Sequence, residues 1–375
     1  MKVPQPFKLE RYFDRYEFNV PYLLSPSDCE SLSLFDLLAM ADPRSRELWE
    51  DLSLGYTEAA GHLLLRQAVA SLYTQTNPDQ ILILVPEEGI FIAIHTLLEP
   101  GDEVICVSPA YQSLHEVARS IGCQVIPWRL VPSSDGWSLD LDQLRQSLSS
   151  KTRLLVINFP HNPTGFLPVS SDLDEIVNIA RQHGMYIFSD EMYRLLEYEE
   201  KLRLPSIVDI YERGISLSGV SKSLALPGLR IGWLATQDSQ LRQRWTTFKD
   251  YTTICNSAPS EILALIALNA RGQILRRNLG IIHTNLSTAR KFFAKFNQQF
   301  EWIPPQAGSV AFPRWTGPGT IEQLCQELID HQGLMMVPGS LFDYPGNHFR
   351  LGLGRRNFAQ SLSRLEDHLG NSRPA

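Results

Sequence analysis

Ile215-Ser216-Leu217-Ser218-Gly219-Val220-Ser221-Lys222-Ser223 leads into Leu226-Pro227-Gly228-Leu229-Arg230-Ile231-Gly232-Trp233-Leu234-Ala235. The first apolar run predicts a buried strand, the Pro-Gly pair a turn, and the second apolar run another strand. Lys222 therefore stands on a loop between two buried strands. Between serines alone, a lysine is ordinarily a solvated surface charge. Held between buried strands it is placed for chemistry, because burial or nearby cations can leave its amine free to condense with an aldehyde.

Working outward, short apolar runs alternate with helical patterns from about Leu82 to Asp238. Helices are predicted over Gly89 to Leu98, Tyr111 to Ile121, Asp140 to Ser149 and Asp172 to His183. Strands are predicted at Glu103 to Val107, Gln124 to Trp128, Arg153 to Asn158 and Met185 to Ser189. Strands alternating with helices require crossovers, so the sheet is mainly parallel and doubly wound, an α/β fold. Ligands of such sheets bind beyond the carboxyl ends of the strands. Asn162, Asp190 and Lys222 all fall at or just after predicted strand ends. Past about Asn269 the pattern changes to a long basic helix, Ile274 to Phe296, and short apolar runs such as Leu334 to Val337. This predicts a smaller α+β domain over 271–375, joined by an N-terminal segment over 1–45, beside a large domain over 46–270.

The 375 residues are 43% hydrophobic and 20% charged, which suits a globular protein with a sizeable core. A net charge of −7 disfavours a nucleic-acid partner, which needs a basic face. No apolar run reaches the roughly 18 residues of a membrane span, and Met1-Lys2-Val3-Pro4 opens no signal region. Cys29, Cys106, Cys123, Cys255 and Cys325 are odd in number and lack metal-ligand spacing. They read as reduced thiols of a cytoplasmic protein without a metal.

Several further stretches carry chemistry. Ser189-Asp190-Glu191-Met192-Tyr193 puts a carboxylate directly after a strand, where a plain helix cap is the alternative. His161-Asn162-Pro163-Thr164-Gly165 taken alone is an ordinary Asn-Pro turn. Arg230 follows Lys222 by eight positions, where a surface arginine at a strand start is the alternative, and Arg350 stands in Phe349-Arg350-Leu351-Gly352, where an edge-strand arginine is the alternative. Their order and spacing closely resemble the class I/II aminotransferases, the fold-type-I pyridoxal-phosphate (PLP) enzymes related to aspartate aminotransferase. The resemblance runs from about Leu54 to Arg350.

That resemblance implies a role for each residue. Lys222 would hold PLP as an internal aldimine, a Schiff base, and its freed amine would then move the substrate Cα proton. Asp190 would face the pyridinium nitrogen and keep the ring an electron sink. Tyr193 and Asn162 would bond the ring's phenolate oxygen, with Asn162 also near substrate. Tyr111, in Pro109-Ala110-Tyr111, would stack on the ring. Arg230 would grip the phosphate beside the hydroxyls of Ser218 and Ser221. Tyr56, in Tyr-x4-Gly-x3-Leu-Arg, would reach the phosphate of a partner subunit, which implies a homodimer with composite sites. Arg350 would clamp the substrate α-carboxylate. One stretch departs from the pattern. Relatives carry Gly-Ala/Ser-x before the first helix, whereas this chain has Val85-Pro86-Glu87-Glu88. Pro86 has no N–H, so the N–H groups of Glu87 and Glu88 would meet the phosphate, with both carboxylates turned outward.

The implied reaction is amino-group transfer between an L-amino acid and a 2-keto acid. The same chemistry serves elimination, other lyase reactions and oxygen-dependent oxidation. A non-catalytic PLP- or amino-acid-binding protein is the alternative from another class. A nicotinamide dehydrogenase would want an early Gly-x-Gly-x-x-Gly, which is missing. Lys249 to Pro259 contains no arginine where dicarboxylate-specific relatives place one, so aspartate is disfavoured as substrate. Asp250, Asp28 or Glu30 could receive a basic side chain, though a solvated surface acid is the stronger reading of each.

Overall fold

The computed structural model describes residues 3–133 and 136–371. Its first element is helix α1, Lys8–Tyr16. The central sheet follows with β1 (Ile81–Leu84), β2 (Glu103–Ser108), β3 (Gln124–Arg129), β4 (Thr152–Asn158), β5 (Tyr186–Asp190), β6 (Gly214–Gly219) and β7 (Gly232–Thr236). Their order across the sheet is β1-β7-β6-β5-β4-β2-β3, and β7 alone runs antiparallel to its neighbours. The sheet is thus doubly wound and mainly parallel, in keeping with the alternation in the sequence.

The near-continuous apolar strands follow from burial on both faces. In β4, Leu154, Leu155, Val156 and Ile157 are all essentially inaccessible, each worth about 1.5–3 kcal/mol of burial. One face packs on helix α2, Pro86–Leu97, through Ile90, Ile92 and Ile94. The other packs on helix α3, Ser170–His183, through Leu173, Ile176, Val177 and Ile179. Gly184, at φ +64°, ends α3 in the left-handed conformation that favours glycine.

Beyond the sheet, helix α4 (Arg271–Lys295) packs Phe292 and Phe293 into a second core with Phe300, Trp315 and Phe349. A three-stranded sheet places Phe349–Gly352 between Val310–Ala311 and Val337–Pro338. Tyr22–Leu23 pairs in parallel with Leu334–Met335, which ties the N-terminal segment to this region. Among the described residues no helix is long and apolar enough to cross a membrane.

Candidate active site

The β6–β7 hairpin presents Lys222. Gly219 and Gly232 are paired across it. A Cβ on Gly232 would lie 2.6 Å from the Ser218 carbonyl oxygen and 2.7 Å from Pro86 Cγ. Only glycine lets the start of α2 press so closely on the hairpin. Lys222 is half-buried, and its Nζ donates to Ser27 Oγ at 2.8 Å. The buried Ser221 hydroxyl has no partner, while Ser218 Oγ donates to the Glu191 carbonyl at 3.3 Å.

Asp190 ends β5, in register with Asn158 on β4 and Leu217 on β6. Asn158 orders two neighbours at once. Its Nδ2 donates to the Asp190 carbonyl at 2.8 Å, and its Oδ1 accepts from the Asn162 N–H at 2.8 Å. The Asp190 carboxylate accepts from the Met192 N–H at 3.1 Å but is in no ion pair among the described residues. Burial pushes its pKa up to about 7, against the pull of the Met192 N–H and the Lys222 charge. Tyr193, three positions on, is 3% exposed with an unpartnered hydroxyl.

Across the cleft, Arg350 is 1% exposed. Its Nε donates to the Ser25 carbonyl at 3.1 Å and its Nη1 to Asn162 Oδ1 at 3.4 Å. Nη2 has no partner. The guanidinium lies over the rings of Phe13 and Phe342, at 5.6 and 5.4 Å from their centres. Burial pulls its pKa down, which fits a cation with no carboxylate to answer it. The aromatic faces offset part of that cost.

At the third corner, Glu88 turns away from the cleft, accepting hydrogen bonds from the hydroxyls of Thr252 and Thr253. Glu87 opens into it. Enclosure by the cleft walls pushes the Glu87 pKa up to about 7, opposed by Ser113 and Arg230 and reinforced by Glu10 and Asp190. The side chain stays open to solvent, and water screens part of that rise. Arg230, at φ +53°, closes the Pro227–Leu229 turn, and its exposed guanidinium donates to the Pro227 carbonyl at 2.8 Å. The Tyr111 ring packs against that of Phe7 at 4.8 Å, tilted by 49°, and its hydroxyl donates to Glu10 Oε1 at 2.8 Å.

The model of aminotransferase class I and II matches residues 45–359. The chain belongs to that family. Capreomycidine synthase of Streptomyces vinaceus is 29% identical over 370 residues, covering 96% of this chain and 93% of the relative. Aspartate aminotransferase of Thermotoga maritima is 27% identical, covering 84% and 81%. A PLP-dependent aminotransferase structure from Streptococcus suis 89-1591 superposes with a TM-score of 0.92 at 31% identity, over 100% of both chains. The fold is therefore that of the fold-type-I PLP enzymes, and PLP is the cofactor the family implies.

The cleft fits that group. Tyr193 Oη, Ser221 Oγ and Arg350 Nη2 are buried polar atoms without partners among the described residues. Asp190 is a buried carboxylate suited to a protonated ring nitrogen, and Lys222 is an amine suited to an aldehyde. Arg230 and the first-turn N–H groups of α2 suit a phosphate. Glu87 is the discordant neighbour, since only its protonated form sits comfortably beside phosphate.

Electrostatics and hydrogen bonds link Lys222, Asp190, Asn162, Tyr111, Glu87, Arg230, Tyr193 and Arg350 around one cleft. Tyr56 stands outside it, 94% exposed. The acids singled out for a basic substrate are engaged elsewhere or open to solvent. Asp28 accepts twice from Arg355, at 2.9 and 3.0 Å, Glu30 accepts from the Arg356 N–H at 3.2 Å, and Asp250 is exposed. Lys249 is buried, with its ammonium on the Ile254 carbonyl at 3.3 Å. Sequence reasoning missed Ser25, Ser27 and Asn158, which no motif flags. It also missed α1, whose Phe7, Glu10, Phe13 and Glu17 recur at helical spacing along one face.

Proposed function

We propose that this protein is a PLP-dependent aminotransferase that moves an amino group between an L-amino acid and a 2-keto acid. The observation that carries the reading is that Lys222 and Arg350 are held by Ser27 and Ser25 of one short stretch, with Arg350 Nη2 open to a ligand and buried Asp190 close enough to feel the Lys222 charge. When bound, PLP supplies the electron sink that makes a substrate Cα–H acidic. Asp190 supplies a buried carboxyl group at the cleft floor, which would favour protonation of a nitrogen that faces it. Arg350 offers a free N–H to the substrate carboxylate, and Asn162 fixes the other arm of the guanidinium. With the carboxylate anchored there, the amino group points toward Lys222. The Lys222 amine is the group that would take and return the Cα proton, so no further acid or base is required. Phe13 and Phe342 keep water from the clamp.

A second reading has its own support. The match to capreomycidine synthase spans 96% of the chain, against 84% for the T. maritima aspartate aminotransferase. Lyase-type chemistry, in which a substrate group leaves and no keto acid is consumed, is therefore the runner-up. We also propose a homodimer. Leu54, Tyr56, Tyr251 and Ile254 are exposed, and Thr57 Oγ1 ties their two loops together through the Asn256 carbonyl at 3.2 Å. A partner subunit would cover this patch and bring its own Tyr56 to the phosphate corner.

The test is an amino-acid screen on PLP-loaded protein, followed by mass, with and without a keto-acid acceptor and with oxygen excluded. Turnover that requires the acceptor and releases no ammonia is the expected result. Ammonia without acceptor would make the enzyme a lyase, and oxygen consumption an oxidase.

A further inference from the structure

We infer that the site selects amino acids whose side chain carries a cationic amine or guanidine; this rests on the amino-acid reading above. The selecting groups are Glu10 and Glu17 on the helix that roofs the cleft.

Glu10 and Glu17 are seven positions apart, two turns along one face of α1 and its C-cap. The same face plants Phe7 on Tyr111 and Phe13 on Arg350. Both carboxylates therefore hang over the cleft. Tyr111 donates to Glu10 and holds it in place. Burial and the neighbouring Asp28 push the Glu17 pKa up, while Arg355 and Lys222 pull it down.

The charges around the cleft are unevenly answered. Asp28 is met by Arg355 in a two-bond pair. Neither Glu10 nor Glu17 has an ion-pair partner among the described residues, and Glu17 has no side-chain hydrogen bond there. Arg350 Nη2, 1% exposed and unpartnered, independently marks where a ligand carboxylate docks. Its charge feels Tyr193 and Tyr111 first and then Glu10 and Asp28. An amino acid anchored there by its carboxylate, with its amino group at Lys222, sends its side chain toward the roof of α1. A neutral side chain would leave two carboxylates without an ion-pair partner. An acidic one would add a like charge. A cationic one completes both pairs.

The experiment compares charged amino acids with neutral isosteres on PLP-loaded wild type, Glu10→Gln, Glu17→Gln and the double variant. Arginine is set against citrulline, and lysine against norleucine, by kcat/KM and by calorimetric affinity. Wild type should favour the cationic member of each pair by about tenfold or more, and the double variant should lose that preference. A wild type blind to charge, or an unchanged preference in the double variant, overturns the inference. Borohydride labelling of Lys222 on the same preparations separates the two failures. No label means that the PLP reading has failed, while a label with charge-blind binding means that only this inference has. If no amino acid turns over, the calorimetric arm alone decides.

Discussion

Lys222 Nζ lies 2.8 Å from the hydroxyl of Ser27. The donor comes from the hairpin of the large sheet and the acceptor from the N-terminal segment. Two residues earlier, the Ser25 carbonyl holds Arg350 and the Ser25 hydroxyl accepts from the Val337 N–H at 2.9 Å. One short stretch of chain thus sets both the amine and the carboxylate clamp. A shift of residues 25–27 would move the two together.

The amine itself is the first test. Borohydride treatment of the PLP-loaded protein should fix cofactor mass on the peptide carrying Lys222, and peptide mapping reads it. Lys222→Ala should lose the label and slow turnover by roughly 10²–10⁴, the usual worth of a positioned acid–base group. A label on another lysine would move the reactive site away from the hairpin.

Asp190 predicts a pH effect on the cofactor-free protein. Its folded pKa is raised to about 7 from the ordinary 3.8, so the folded state binds the proton more tightly than the unfolded state between those values. Stability contributed by the protonated form is present below the lower value and lost as pH rises toward the upper. Asp190→Asn removes that loss. Urea midpoints at pH 5 and pH 8 should converge for the variant and diverge for wild type, while the variant loses activity. Equal pH profiles would show that the carboxylate is not buried as described.

Arg350→Ala should weaken binding of every amino acid by about 2–5 kcal/mol, the cost of removing one member of a desolvated charge pair. PLP uptake should survive, because Arg350 belongs to the substrate side of the cleft. Arg350→Lys should recover only part of the loss, since an ammonium lacks the fixed fork that holds Asn162 with one arm and the carboxylate with the other. Calorimetry on PLP-loaded protein measures both. Unchanged affinity in the alanine variant would assign the carboxylate to another cation.

How much of this was legible beforehand depends on whether a signal is local. The alternation of strands and helices announces the doubly wound sheet, because burial on both faces leaves unbroken apolar runs such as Leu154 to Ile157. Asp190, Asn162 and Lys222 follow from standing at the ends of those runs. Ser27, Ser25 and Asn158 carry no such mark. Ser27 meets Lys222 and Ser25 meets Arg350 only through tertiary folding, across 195 and 325 positions. Asn158 looks like the last residue of a strand until its amide is seen bridging Asp190 and Asn162. The face of α1 was readable as a helical period. What it covers was not, because nothing local says that a terminal helix folds back over the cleft.

Assembly is tested through Tyr56. Light scattering should give a dimer. Tyr56→Phe should weaken PLP retention by about 0.5–1.5 kcal/mol, the net worth of one hydrogen bond. A fully active monomer would leave the exposed Leu54, Tyr56, Tyr251 and Ile254 patch without its proposed partner.

Gly232→Ala tests how tightly the hairpin and α2 are coupled. The added methyl would meet the Ser218 carbonyl at 2.6 Å and Pro86 Cγ at 2.7 Å, and neither is the end of a flexible side chain. Something must move, and overpacking of this kind costs about 1–3 kcal/mol. If the start of α2 yields, Pro86 and the Glu87 N–H retreat from Lys222 and Arg230, so the phosphate corner opens. The expected outcome is a lower thermal midpoint together with a weaker hold on PLP, while amino-acid affinity of the PLP-saturated protein changes little. Thermal unfolding with and without added PLP separates the two effects: excess cofactor should recover part of the lost midpoint by mass action. A variant as stable as wild type that retains PLP equally well would show that the hairpin and the helix start are not the close pair described.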